Sequence, residues 1–443
     1  LQYIVILDKI VFIFAASVNM LTLNAIRSNT EEIIERLSKR GIDRSKDIQE
    51  VLQLDEAKRN KQTQFEQNLA KSNALAKEIG DLFKAGERDK ADDLKNESTH
   101  LKESNKAIEA EMLELDEKLT QKLYEIPNAP YQQVKFGKTP EENEVVFEWG
   151  DEPVIPADAK PHWDLTSKYN LVDFELGNKI TGAGFPVYTG KGARLQRALI
   201  NFFLDEALKA GYFEVQVPIL VNEASGYGTG QLPDKEGQMY HVGIDNLYCI
   251  PTAEVPITNI YRDVILKEED LPIKNVGYTP CFRREAGSYG SHVRGLNRLH
   301  QFDKVEIVQV AKPENSYEVL EEMVEHVKGL MMKLGLKFRI LRLCGGDMGF
   351  ASAMTYDFEA WSGAQQKWLE VSSTSNFETF QANRLKCRYK NNATGKNELV
   401  HTLNGSALAL PRIVASILEN YQTEDGVNLP ECLHPYLGFT KIQ

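Results

Sequence analysis

The chain lacks most of the features that identify a protein at a glance. Its five cysteines, Cys249, Cys281, Cys344, Cys387 and Cys432, form no C-x-x-C pair. Their scatter gives neither a disulfide framework nor zinc spacing, and a reducing compartment, the cytoplasm, is the simplest setting. Positive charge is not in excess. The net charge of −12 offers no bulk sign of nucleic-acid binding, although RNA contact needs only a local basic surface. No internal repeat is evident. Long apolar runs are also missing: residues 1–19 are apolar, but Asp8 and Lys9 interrupt them. The remaining runs fall short of the roughly 20 residues of a spanning helix, and no basic n-region marks a signal peptide. No membrane partner is expected. Met20 opens the phrase Met20-Leu21-Thr22-Leu23, and the expectation is that translation starts there, with residues 1–19 a mis-assigned extension.

Proline is absent from Asp47 to Ile126, a stretch dense in Lys, Glu, Asp, Ala, Leu and Asn. Two helical patterns fill it. The first carries Phe65, Leu69, Leu75, Ala76, Ile79, Leu82 and Phe83, mostly at three- and four-residue steps. In the second, Leu94, Leu101, Ile108 and Leu115 recur every seven residues beside a row of Ala91, Ser98, Asn105, Met112 and Leu119. Together these rows make an a/d seam. Gly86 is the natural break between the patterns. Two such helices joined by so short a turn must fold back antiparallel. Ile126-Pro127-Asn128-Ala129-Pro130 ends the second helix. A polar stretch with scattered prolines, up to about His162-Trp163-Asp164, reads as a linker with extended pieces.

From Leu165 onward, amphipathic helices mix with β-rich runs such as Val215–Leu220 and Lys304–Val310. They do not alternate in a βαβ rhythm, which argues for an antiparallel sheet in an α+β domain. Gly226-x-Gly228-x-Gly230 is therefore no dinucleotide fingerprint. Phe282-Arg283-Arg284-Glu285, a loop containing Gly287, Ser288, Gly290 and Gly295, and a return strand from Leu299 read as a positively charged hairpin. Guanidinium groups pair with phosphate oxygens in a bidentate way, so such a hairpin can hold a nucleotide over a sheet. Leu403–Arg412 reads as a small-residue strand running into a helix. Pro411 suits the first helical position, and helix N-terminal amides beside Arg412 make a polyanion site.

In this order, the helix Gly192–Gly211 with the strand ending at Pro218, the Arg283 hairpin, and the Arg412 strand–helix unit resemble motifs 1, 2 and 3 of class II aminoacyl-tRNA synthetases. Longer phrases resemble the seryl-tRNA synthetase family: Gly228-Thr229-Gly230-Gln231-Leu232-Pro233, Pro251-Thr252-Ala253-Glu254-Val255-Pro256, Arg298–Glu306, Glu370–Phe377 and Leu418–Gln422. The resemblance extends from Met20 to the end. It implies an antiparallel-sheet catalytic domain at 165–443, a linker at 127–164, and a tRNA-binding domain at 20–126 whose coiled-coil arm starts near 48.

The resemblance also implies roles. Arg283 holds the ATP α-phosphate, Arg412 grips the γ-phosphate, and Glu285 accepts from the adenine amino group. Phe302 stacks on the adenine, and Leu299, Arg284, Val371 and Ser372 complete the ATP site. Glu370 and Ser373 ligate Mg²⁺, for which oxygen donors are suited. Thr252, Ala253, Glu254, Arg283, Glu306 and Ser406 recognise serine. The implied catalytic set is Arg283, Arg412 and Glu370. On the arm, Lys58, Arg59, Lys61, Lys71 and Lys77 are candidate phosphate contacts. The implied partners are tRNA(Ser), tRNA(Sec) and a second copy in a homodimer. The alternative is a non-catalytic paralogue that only binds tRNA or a protein. The family often has glycine where Pro411 stands.

Overall fold

The computed structural model describes residues 22–285 and 294–443. The expectations for residues 1–19 and for Gly287, Ser288 and Gly290 lie outside them. Two compact units emerge. One comprises residues 22–38 together with Ile42–Pro127; the other comprises Lys39–Gly41 and the described residues of Asn128–Gln443. Among the described residues no helix is long and apolar enough to cross a membrane.

The first unit is dominated by two helices, α1 (Ser45–Ala85) and α2 (Arg88–Glu125). Gly86 caps α1 in the left-handed region at φ 81°, and its N–H donates to the carbonyls of Leu82 and Phe83. That conformation costs a side chain with a Cβ and costs glycine little. The chain then reverses, as the break at Gly86 led us to expect. On α2 the buried residues are Ala91, Ser98, Ile108 and Leu119, all members of the heptad rows. The first helix departs from the expected pattern. Leu75 is buried, but Leu69 and Phe83 are 46% and 48% exposed, and Ala76 between them is exposed too. Those three form a seven-residue row one position off the seam. Polar residues take the facing positions instead: Ser72 Oγ lies 3.4 Å from Ser98 Oγ, and Asn68 Nδ2 donates to Ser104 Oγ at 3.4 Å. Apolar spacing alone cannot detect a polar seam.

Three of the four lysines singled out on α1 reach across to α2; Lys77 lies among residues of its own helix. Lys58 pairs with Asp116, Lys61 with Glu111 at 2.5 Å and Lys71 with Glu97 at 2.6 Å. Arg59 pairs within its own helix with Asp55 at 3.0 Å. Exposed pairs of this kind contribute about 0–1 kcal/mol each. Their main effect is to set register.

The second unit is built on an antiparallel sheet. Its strands are β1 (Glu144–Trp149), β2 (Phe213–Glu214), β3 (Ile273–Phe282), β4 (Gln301–Ala311), β5 (Phe338–Arg342), β6 (Met354–Ser362), β7 (Lys367–Asn376) and β8 (His401–Ala409). They are ordered β1-β5-β6-β7-β8-β4-β3-β2, and only β2 and β3 run parallel. Glu144–Trp149, one of the extended pieces expected in the linker, is an edge strand paired with β5. One sequence reading is corrected here. The run Val215–Leu220 is not one strand: β2 ends at Glu214, and Leu220–Asn222 belongs to a separate small sheet. Pro218 lies in the gap and cannot donate to a ladder.

Three helices, α3 (Gly190–Lys209), α4 (Ser316–Leu334) and α5 (Leu410–Asn420), share one large core with the sheet. Strand periodicity sorts the two faces. In β4, Val305 and Ile307 enter the helical core, and in β6 so do Met354, Tyr356, Phe358 and Ala360. Phe203, Phe338 and Phe358 are fully enclosed, each stabilising the fold by about 1.5–3 kcal/mol. The alternate residues, Lys304 and Glu306 of β4 and Asp357 of β6, therefore point to the other face. That face carries the chemistry.

Candidate active site

Adjacent strands β7, β8, β4 and β3 bring the expected residues together. At one side, Arg412, near the start of α5, donates from Nε to the Asn297 carbonyl at 3.1 Å and from Nη1 to the Glu370 carbonyl at 2.7 Å. Its Nη1 is 3.6 Å from the Glu370 carboxylate. At the other side, Arg283 follows β3. Its guanidinium lies 5.2 Å from the centroid of the Phe302 ring, and Nε donates to the Pro251 carbonyl at 3.4 Å. Glu285, at φ 47°, holds Arg298 at 2.7 Å. Arg284 donates its backbone N–H to Gln238, and its guanidinium lies 5.9 Å from the Tyr240 ring.

Glu370 and Ser373 are three residues apart on one strand, an odd separation that would ordinarily place them on opposite faces. The register resolves this. Ser372 pairs with Phe358 while Glu370 pairs with Glu359, so one residue bulges between them. The bulge returns both side chains to one face. It also turns their neighbours away. Val371 enters the helical core, and Ser372 Oγ donates to the Ser406 carbonyl at 2.6 Å. Their side chains do not face the site, so what Val371 and Ser372 can offer the expected ATP site is backbone. Leu299 likewise packs into the main core, and Ala253 packs against Ile257 and Val308. Backbone atoms are what Ala253 and Val371 can offer a ligand.

Between the two arginines lies a buried polar cluster. Glu306, 2% exposed, is 3.4 Å from Ser406 Oγ and 2.6 Å from Lys304 Nζ. Lys304 also donates to Thr252 Oγ1 at 2.9 Å. Gln381 donates to Glu254 at 2.6 Å and accepts from Thr402 at 2.8 Å. Burial first, and the Glu306 carboxylate second, push the Glu254 carboxyl up to about 7. Two carboxyl groups and one ammonium in a desolvated pocket leave an unmet demand for positive charge.

A family model described as "Seryl-tRNA synthetase N-terminal domain" matches residues 20–130. One described as "tRNA synthetase class II core domain (G, H, P, S and T)" matches residues 240–421. A serine–tRNA ligase of Salinibacter ruber is 48% identical over 424 residues, covering 96% of this chain and 99% of that protein. The chain belongs to the seryl-tRNA synthetase family. A seryl-tRNA synthetase from Pyrococcus horikoshii, complexed with ATP, superposes with a TM-score of 0.90 at 34% identity, covering 96% of this chain and 99% of the other. A cytoplasmic serine–tRNA ligase from Naegleria fowleri, in complex with AMP, gives 0.85 at 27% identity, with coverage of 96% and 99%.

Within this seryl-tRNA synthetase fold, three site residues escaped the sequence reading. Lys304 sits two positions before Glu306, and strand alternation would have placed both on one face. Gln381 carries no recognisable signal. Asp357 pairs across β6–β7 with Ser373, and its Oδ1 is buried without a partner among the described residues. Burial chiefly, then the Glu370 charge, raise its carboxyl well above the usual range, while a hydrogen bond from Ser373 opposes the rise.

Proposed function

We propose that the chain is a serine–tRNA ligase: it joins L-serine to AMP from ATP, releases pyrophosphate, and passes the seryl group to the 3′-terminal ribose of tRNA(Ser). The observation that carries this reading is the alignment, on one sheet face, of Arg412 with Glu370, of Lys304 with Glu306 and Thr252, and of Arg283 over Phe302. Two guanidinium groups flanking a polar pocket suit a bent triphosphate lying beside an amino acid. A non-catalytic paralogue would have no use for that convergence.

The first step is attack of a serine carboxylate oxygen on the α-phosphorus, with cleavage of the bond to the pyrophosphate oxygen. The carboxylate is already a competent nucleophile, so the chain need only position and neutralise charge. Arg283 holds the α-phosphate beside Phe302, which stacks on the adenine. Arg412 grips the γ-phosphate, the exposed Arg284 lies at the rim, and Glu285 serves the adenine amino group. Glu306 accepts from the serine hydroxyl. Glu254, with Thr252, takes the ammonium, and Ser406 completes the serine pocket. In the second step the ribose hydroxyl oxygen attacks the seryl carbonyl carbon, and AMP leaves.

Magnesium fits the donors at hand. Glu370 and Ser373 share a face because of the bulge, and Asp357 Oδ1 beside them is a buried oxygen with no partner among the described residues. All are hard oxygen donors. These residues would hold the ion, which supplies charge neutralisation for the phosphates when bound. The helical arm reads the shape of the long variable arm of tRNA(Ser), and so accepts tRNA(Sec) wherever that tRNA presents such an arm too. A homodimer is supported by Phe213, 70% exposed on edge strand β2, with Leu208, Ile219 and Leu220 also exposed nearby in sequence. Five free cysteines suit the cytoplasm.

Serine-dependent exchange of pyrophosphate into ATP tests the reading. Serine should support it, and alanine should fall below serine by roughly 10⁴-fold, because it leaves a buried acceptor unpaired. Absence of exchange with serine, or equal exchange with alanine, would overturn it.

A pH dependence follows from Glu254. In the empty site its carboxyl is half-protonated near pH 7, being pushed up to about 7. The serine ammonium favours the ionised form, so binding expels a proton. The KM for serine should therefore fall as pH rises between about 6 and 8, by at most tenfold per unit, and level off above. Glu254→Gln should flatten the profile. A KM unchanged across that range in the unsubstituted enzyme would refute the placement of Glu254.

A further inference from the structure

We infer that His162 is a positioning residue for the ATP site: one buried imidazole ties the end of α5 to the returning limb of the Arg283 hairpin. It thereby fixes the backbone that holds Arg412 and, through Arg298, Glu285. The inference rests on the function proposed above.

His162 follows Pro161 and opens a short helix, His162–Lys168. Its side chain and that of Glu419 are fully buried. Nε2 accepts the backbone N–H of Leu296 at 2.8 Å. The proton therefore sits on Nδ1, 2.7 Å from Glu419 Oε1. This tautomer is fixed by the partners, since a donor at Nε2 would leave the Leu296 N–H opposed. Glu419 also accepts from the His162 N–H at 2.9 Å, from Gln365 Nε2 at 2.8 Å and from Ser362 Oγ. Four donors satisfy a carboxylate that would otherwise be expensive to bury.

Both ends of this unit lead to the ATP site. Glu419 lies on α5 about two turns after Arg412. On the hairpin side, Asn297 follows Leu296; its carbonyl accepts from Arg412 Nε at 3.1 Å and its amide donates to Gln365 at 3.2 Å. Arg298 comes next and holds Glu285 at 2.7 Å. Gly295, at φ +66°, makes the closure possible, because a Cβ there would stand 2.4 Å from His162 Nε2. Arg294 lies 4.9 Å from the centroid of the neighbouring Trp163 ring.

The test compares His162→Phe, which removes both hydrogen bonds, with His162→Gln, whose amide can donate to Glu419 and accept from Leu296. Pyrophosphate exchange gives KM for ATP, KM for serine and kcat, and ATP-induced thermal protection gives binding without turnover. His162→Phe should raise the KM for ATP about tenfold to a hundredfold and weaken the protection in step. The KM for serine should stay within about twofold. His162→Gln should recover most of the loss. If His162→Phe does not fold, Gly295→Ala carries the test, with the same ATP-selective loss expected. An unchanged KM for ATP in either soluble variant, an equal loss for ATP and serine, or no recovery with glutamine would each overturn the positioning role. Unsubstituted enzyme lacking serine-dependent exchange would instead sink the function itself.

Discussion

Arg283→Ala is expected to lower serine-dependent pyrophosphate exchange by roughly 10³-fold or more, with folding intact. The fold should tolerate it because among the described residues the Arg283 guanidinium makes only a long hydrogen bond to Pro251 and a contact with the Phe302 face. The reaction should not tolerate it, because negative charge grows on the α-phosphate oxygens as the fifth oxygen approaches. Lysine at this position should recover little: a point charge cannot reproduce a planar fork that also lies over a ring. Circular dichroism and thermal unfolding should match the parent. Near-parental exchange in the alanine variant would remove Arg283 from the reaction.

Shortening the arm should separate the two steps. The pairs Lys61–Glu111 and Lys71–Glu97 mark positions that face each other across α1 and α2. Residues 63–109 can therefore be replaced by a short glycine-containing turn without shifting the remaining seam. Exchange of pyrophosphate should stay within about twofold of the parent, whereas charging of tRNA(Ser) should fall by roughly 10³-fold as the contacts to the variable arm are lost. If both activities fell together, the arm would be needed for the catalytic fold. If neither fell, the tRNA would be recognised elsewhere.

Much of this was legible in the sequence, for identifiable reasons. Heptad spacing and a single glycine define the arm because helix geometry is local. Arg283 and Arg412 stand out because each sits at a strand–loop or strand–helix junction with its own signature. What stayed hidden depends on partners distant in sequence. The bulge that aligns Glu370 with Ser373 exists only in the register against β6. The pairing of Lys304 with Thr252, the unmatched oxygen of Asp357 and the four donors around Glu419 are likewise tertiary facts. Strand β1 was legible only as an extended piece of a linker, because its pairing with β5 depends on a partner distant in sequence. Ser98 lies in the expected heptad row, but its partner Ser72 was missed because serine carries no apolar signal.

The cross-arm ion pairs bear on selectivity. Lys58, Lys61 and Lys71 each already face an acidic side chain of the opposite helix, so an incoming nucleic acid must compete with resident carboxylates for them. Indiscriminate polyanions, which rely on displacing loosely held solution ions, gain little from such a surface. A ligand whose contour engages many positions at once can outcompete the internal partners. The arm should therefore resist casual adhesion of other RNA strands, and association there should weaken less steeply with added electrolyte than the lysine count suggests.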